Sequence, residues 1–137
     1  MSEQNKAVAR RFYEEIFNKK NIAAIDQICD PKFVDHSPGP GQKSGDLAGV
    51  KQMFELMTTG FPDMQFKVEH LVADQDMVAA HFTVVATHKG PFLGAPPTGK
   101  RVTIHGVDLL KIVNGRAVES WHYGDEAMAL AQLGIKG

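Results

Sequence analysis

Ala86–Lys100, ATHKGPFLGAPPTGK, and Glu119–Gly134, ESWHYGDEAMALAQLG, set the architecture of this chain. The first stretch is a strand end that runs into a loop punctuated by Gly and Pro. The second is a strand that carries Trp121 and then yields a carboxylate, Asp125, where a last helix begins. Together they describe a half-open β-structure with an aromatic and an acid at its mouth. Such a mouth suits a small pocket for an apolar molecule.

Before these stretches the periodicity is helical. Val8, Phe12 and Ile16 fall four apart, with Tyr13 and Phe17 beside them, which predicts a helix over about Ser2–Asn18. A short second helix carries Ile22, Ile25 and Ile28, with Asn21 as a cap and Pro31 as its end. Pro31–Ser37 reads as a short strand-like piece and Pro38–Gly45 as loop. Asp46 caps a third helix whose apolar face is Leu47, Val50, Phe54 and Met57, and Gly60 closes it. The period then changes to two. Strands are predicted over Met64–Ala73, Met77–His88, Arg101–Val113 and Arg116–Tyr123, with Asn114-Gly115 as a tight hairpin. Asp125–Leu133 is a final helix stopped by Gly134. Helices first and a meander afterwards give an α+β fold: a curved antiparallel sheet with its helices on one face.

At 137 residues, residues 1–137 form one expected domain. A net charge of −1 argues against nucleic acid and anionic membranes as partners. The lone Cys29 excludes an internal disulfide and suits a reducing compartment. The polar N-terminus lacks the apolar run of a signal peptide, and no stretch is apolar for long enough to span a membrane. The expected location is the cytoplasm. Six histidines invite a metal reading, but no His-Glu-x-x-His and no Cys/His cluster is present, so no metal is expected. G-x-S-x-G, P-loop and G-x-G-x-x-G motifs are also missing, which leaves esterase, nucleotide and dinucleotide functions unsupported.

The order of several weak pieces is more specific than any one of them. They are Val34-Asp35-His36, Phe61-Pro62-Asp63, Thr87-His88 leading to Phe92-Leu93-Gly94, Pro96-Pro97-Thr98-Gly99-Lys100, Asn114-Gly115-Arg116, and the Trp121…Asp125…Gln132-Leu133-Gly134 ending. Over nearly its whole length the chain resembles the SnoaL-like polyketide cyclases of the nuclear-transport-factor-2-like superfamily. The resemblance implies a cone-shaped sheet bent around a deep pocket and a homodimer through the sheet. It implies an acid at Asp125 that handles protons in an intramolecular aldol closure, with no metal or organic cofactor. Ser120, Ala86 and His81 stand where the family often has His, Gly and Arg, departures that bear on the substrate more than on the fold.

Three residues are the candidate catalysts. Asp125 is either a pocket carboxylate, its neutral form favoured beside Trp121, or a helix cap. His36 sits at the start of a loop that bends at once, as functional loop residues do, or is a solvent-exposed histidine. His105 is a pocket base or donor, or an interface histidine. Asp35 and Asp108 point away from His36 and His105 respectively in extended chain. His81, His88 and His122 read as structural and His70 as a surface residue, and His122 is out of phase with Trp121. The substrate-binding candidates are Trp121, Phe92, Phe17, Met53, Met57 and Phe82, and Phe92 is a candidate lid because it lies in a Gly/Pro loop.

Three classes of function stay open. The leading one is cofactor-free acid/base catalysis on a hydrophobic, carbonyl-bearing small molecule, cyclase-like; isomerase, dehydratase and hydrolase chemistry share the fold. The second is a binding module for an apolar ligand, and the third is an interaction domain. One further expectation concerns assembly. Both faces of Met77–His88 are substantially apolar, whereas a sheet face in water alternates more cleanly. A second copy would cover the outer face. Light scattering at micromolar protein should give twice the chain mass, and Thr83→Glu should halve it without unfolding the chain; a native mass that stays at one chain as concentration rises overturns the dimer.

Overall fold

The computed structural model describes residues 2–39 and 41–135. Within the expected Pro38–Gly45 loop, Pro40 lies outside the described residues, as do Met1, Lys136 and Gly137 at the ends. Helix α1 (Ser2–Arg11) continues into a π-helical segment, Phe12–Asn18, so the expected helix is present but its last turns are widened. Lys19 N–H donates to Glu14 O and Asn21 N–H to Ile16 O, both at 3.1 Å and both spanning five residues. The wide turn buries Phe12, Tyr13 and Ile16 together.

Helix α2 (Ala23–Ile28) gives way at once to strand β1 (Cys29–Asp35). Pro31 therefore does not end the helix. It lies inside an edge strand, where the pairing register is irregular and a missing N–H is tolerated. Helix α3 (Leu47–Gly60) starts as expected: Asp46 Oδ1 accepts the Gly49 N–H at 3.0 Å. Strands β2 (Gln65–Asp74), β3 (Met77–Thr87), β4 (Arg101–Val113) and β5 (Arg116–Gly124) follow, then α4 (Glu126–Gln132). Asn114 and Gly115, at φ of 53° and 77°, make the β4–β5 turn with the two left-handed residues a tight hairpin needs.

The sheet is five-stranded, in the order β1-β5-β4-β3-β2, and it is curved and unclosed. Strands β2 to β5 pair antiparallel, but β1 pairs parallel with β5, so the expectation of an antiparallel sheet is corrected at this edge. No hairpin joins β1 to β5. The rest of the chain lies between them, so connectivity does not dictate their direction. The helices cover one face, and along β3 every even-numbered residue, Val78 to Ala86, is buried against them. The odd-numbered residues form the outer face. There Val72, Ala79, Leu109 and Trp121 make one row across four strands.

Two details hold the inner face in shape. His88 is fully buried, and its Nδ1 accepts the Thr98 N–H (3.3 Å) and lies 3.0 Å from Thr98 Oγ1, which straps the Gly/Pro loop to the end of β3. Gly106 pairs with Phe82 across β3 and β4, and a Cβ at Gly106 would lie 2.7 Å from Phe82 Cζ. The ring of Phe82, 2 % exposed, fills that gap. Gly106→Ala should therefore force the ring out of its site and destabilise the fold by about 1–3 kcal/mol. Urea unfolding measures this; an unchanged midpoint would mean that Phe82 relaxes freely.

Candidate active site

The inner sheet face and the helices enclose a cavity of about 460 Å3, within the size range of small-molecule sites. Phe12 and Phe17 from the π segment, Met53 and Met57 from α3, Phe82 from β3 and Phe92 from the loop form apolar walls. Phe92 is buried, with its ring centroid 5.2 Å from that of Phe61. One region of the lining is polar, with Tyr13, Asp108, His122 and Glu126, and Asp35, Ser37, Gln42 and Ser120 also face the cavity.

Asp108 is the anchor. It is the one carboxylate in the alternating inner row of β4, between Gly106 and Leu110, and only 9 % of it is exposed. A buried carboxylate needs partners. Tyr13 O–H donates to Asp108 Oδ2 at 2.6 Å, and His122 Nδ1 meets Asp108 Oδ1 at 2.5 Å from the paired position on β5. The other ring nitrogen of His122, Nε2, contacts Glu126 Oε1, four residues on at the start of α4. Glu126 can fold back because residue 124 is glycine: a Cβ there would collide with its carboxylate.

The charges follow from these contacts. Burial alone would lower the His122 pKa, but hydrogen bonds and charge from Asp108 and Glu126 outweigh it and push it up to about 10. His122 is therefore an imidazolium at neutral pH. Burial raises the Glu126 pKa, yet the hydrogen bond and charge of His122 bring it below its ordinary value, so Glu126 is ionised. Burial, reinforced by Asp108, holds Tyr13 well above its ordinary pKa, so the phenol keeps its proton. The result is a carboxylate–imidazolium–carboxylate array beside a phenol. Glu126 Oε2 has no hydrogen-bond partner on another side chain among the described residues.

Of the sequence candidates, Phe17, Met53, Met57, Phe82 and Phe92 line the cavity. Asp125, His36, His105 and Trp121 do not. Asp125 stands at the N-terminus of α4 without a side-chain cap bond; its Oδ1 instead accepts the His105 N–H at 2.8 Å and ties α4 to β4. His105 is exposed on the outer face, 3.3 Å from Thr83 Oγ1. Trp121 is on that face too, stacked on exposed His36 at 4.6 Å and 10°, while His36 Nε2 contacts Glu119 at 2.8 Å. The cause is strand parity: Trp121 outward puts Ser120 and His122 inward, and His36 outward puts Asp35 inward. Asp35 accepts from Ser37 N–H (2.9 Å) and Gln42 Nε2 (3.1 Å), so it also fixes the loop.

A family model described as SnoaL-like polyketide cyclase matches residues 7–133. The chain belongs to this family. Among solved structures, AclR from Streptomyces galilaeus, a proposed hydroxylase, is 31% identical, with 98% of this chain and 83% of AclR covered and a TM-score of 0.85. IdmH from Streptomyces antibioticus, a proposed polyketide cyclase, is 29% identical over 96% of this chain and 99% of its own, with a TM-score of 0.82. A proposed polyketide cyclase from Acidithiobacillus ferrooxidans is 30% identical over 97% and 96%, with a TM-score of 0.84. No curated protein matches.

Sequence reasoning passed over His122, Asp108, Tyr13 and Glu126. Asp108 had a signal: it interrupts the even-numbered row Val102, Ile104, Gly106, Leu110, Ile112, whose other members are apolar or glycine. The ion array also has a signature in stability. His122 is raised above its ordinary 6.5, so its contribution is complete below that value and is lost as pH rises through about 10. Glu126 is lowered, so its contribution is present above 4.5 and is lost as pH falls through its folded value. The melting temperature of the native chain should fall between pH 6.5 and 10, and His122→Gln should flatten that slope. Parallel slopes for the two proteins, read by calorimetry, would contradict the charged array.

Proposed function

We propose that the chain is a polyketide-cyclase-type enzyme that moves protons within the cavity to close a ring in a hydrophobic, carbonyl-bearing small molecule, without a cofactor. The observation that carries this reading is the imidazolium held between two carboxylates in a cavity whose walls are largely aromatic and aliphatic. In an intramolecular aldol closure, Glu126 Oε2 takes a proton from the carbon α to one carbonyl. The enolate so formed attacks a second carbonyl of the same molecule, forming the ring bond and an alkoxide. The proton held by Glu126 then goes to that alkoxide. Atoms and charge balance, and no electrons leave the substrate.

A carboxylate of low pKa serves as the base when the enolate it creates meets a fixed positive charge or donor. His122 supplies the charge. Ser120, two residues from His122 on the same face of β5, offers a hydroxyl to the carbonyl oxygen. Asp108 and Tyr13 hold the His122 ring in place. The aromatic and Met walls exclude water from the enolate. We also propose a homodimer through the outer face, where Val72, Ala79, Leu109 and Trp121 lie in one row.

The test is turnover of an uncyclised aromatic poly-ketone found by screening, with conversion to an isomer of the same mass followed by chromatography. Glu126→Gln should lower kcat by about 10²–10⁴-fold, the range of general acid/base catalysis. Asp125→Asn should leave kcat near that of the native chain. A loss below about tenfold in Glu126→Gln would remove Glu126 from the chemistry. Tight binding with no conversion of any such ligand would make the chain a binding module.

A further inference from the structure

The lining of the cavity is charged as well as apolar, and its charge is one-sided. Three carboxylates, Asp35, Asp108 and Glu126, face the cavity against one imidazolium, His122, which leaves a formal charge of −2. No Lys or Arg lines it among the described residues. Lys20 lies behind the wall, where its ammonium donates to the carbonyl oxygens of Met64 (2.9 Å) and Phe17 (3.4 Å). The donors that face the carboxylates are already engaged: Gln42 Nε2 and Ser37 N–H on Asp35, and Tyr13 O–H on Asp108. An anionic ligand would bring its charge into a lining that is net negative, without Lys or Arg, and whose one imidazolium already has both ring nitrogens on Asp108 and Glu126. A cation would meet Glu126 Oε2 in a lining that is otherwise rich in aromatic rings, Phe12 and Phe17 among them.

We propose that this cavity takes uncharged or amine-bearing aromatic molecules and rejects those that carry a carboxylate or phosphate. The proposal rests on the reading of the cavity as a ligand site and narrows its substrate class. Free acids, and esters of phosphate-bearing carriers whose charged part must enter, are excluded. A carboxyl group on a substrate must arrive neutralised, as an ester or amide. The reaction class that precedes this step therefore includes release from any anionic carrier and masking of a free acid.

Three probes of one shape test this: 2-naphthamide, 2-naphthoate and 2-naphthylmethylammonium, titrated calorimetrically at pH 7 into the native chain. The amide and the ammonium should bind, and the naphthoate at least about tenfold more weakly than the amide, as like-charge repulsion at a few Å requires. Asp35→Asn and Glu126→Gln should each narrow the gap between amide and naphthoate; either one suffices if the other fails to fold. Naphthoate binding as tightly as the amide overturns the charge selection and leaves the proposed proton chemistry standing. A gap that neither folded variant changes overturns the assignment to these carboxylates. Failure of all three probes to bind at millimolar concentration overturns the cavity as a ligand site, and with it both readings.

Discussion

A carboxylate placed on the apolar face of a strand has to be met by donors from whatever packs against it, and Asp108 is met from two directions. The phenol of Tyr13 comes down from the first helical element. The imidazole of His122 comes across from the paired position on β5. Through that ring the chain reaches Glu126 and so the last helix. One buried charge thus ties together the beginning, the middle and the end of the sequence. Removing a single member of such a set is worse than replacing the set by apolar residues, because the remaining charges lose their compensation inside the protein. A polar array of this kind is a costly way to hold a fold together, and the proposed proton transfer gives it a use.

Much of the architecture was legible from local signals. The Asn114-Gly115 turn requires two left-handed residues, and the β3 alternation separates a buried face from a half-buried one. Phe17, Met53, Met57 and Phe82 stand at helical or alternating spacing, where large apolar residues declare which side is dry, and Phe92 stood out by its Gly/Pro loop. The parallel pairing of β1 with β5 was not legible. It joins segments distant in sequence, and no turn between them encodes its direction. The resemblance to the SnoaL-like family supplied the overall shape at once, but a family shape does not say which of two adjacent residues on a strand faces in.

That choice decides which side chains of β5 line the cavity. Trp121 attracts attention as the single tryptophan, and assigning it to the pocket inverts every residue of β5, sending His122 and Ser120 outward. The large ring instead covers His36 on the outer face, beside the Glu119 and Lys111 pair. Asp108 was the safer guide. A tryptophan is at home on either side of a sheet, whereas an acid flanked at i±2 by glycine and leucine on a buried row has few reasons to be there other than a partner waiting for it.

The π-helical segment at Phe12–Asn18 makes the cavity sensitive to chain length as well as to chemistry. A π turn is an α turn that has absorbed one additional residue. Losing a single residue there would let the ordinary helix close up and rotate α1 by about 100° relative to the turns beyond the deletion. Tyr13 and Phe17 could then no longer both face the sheet, although every side chain in the wall would still be present in the sequence. Relatives that differ by one residue at this point can thus hold differently shaped cavities over the same sheet, with no substitution at any position that touches a ligand.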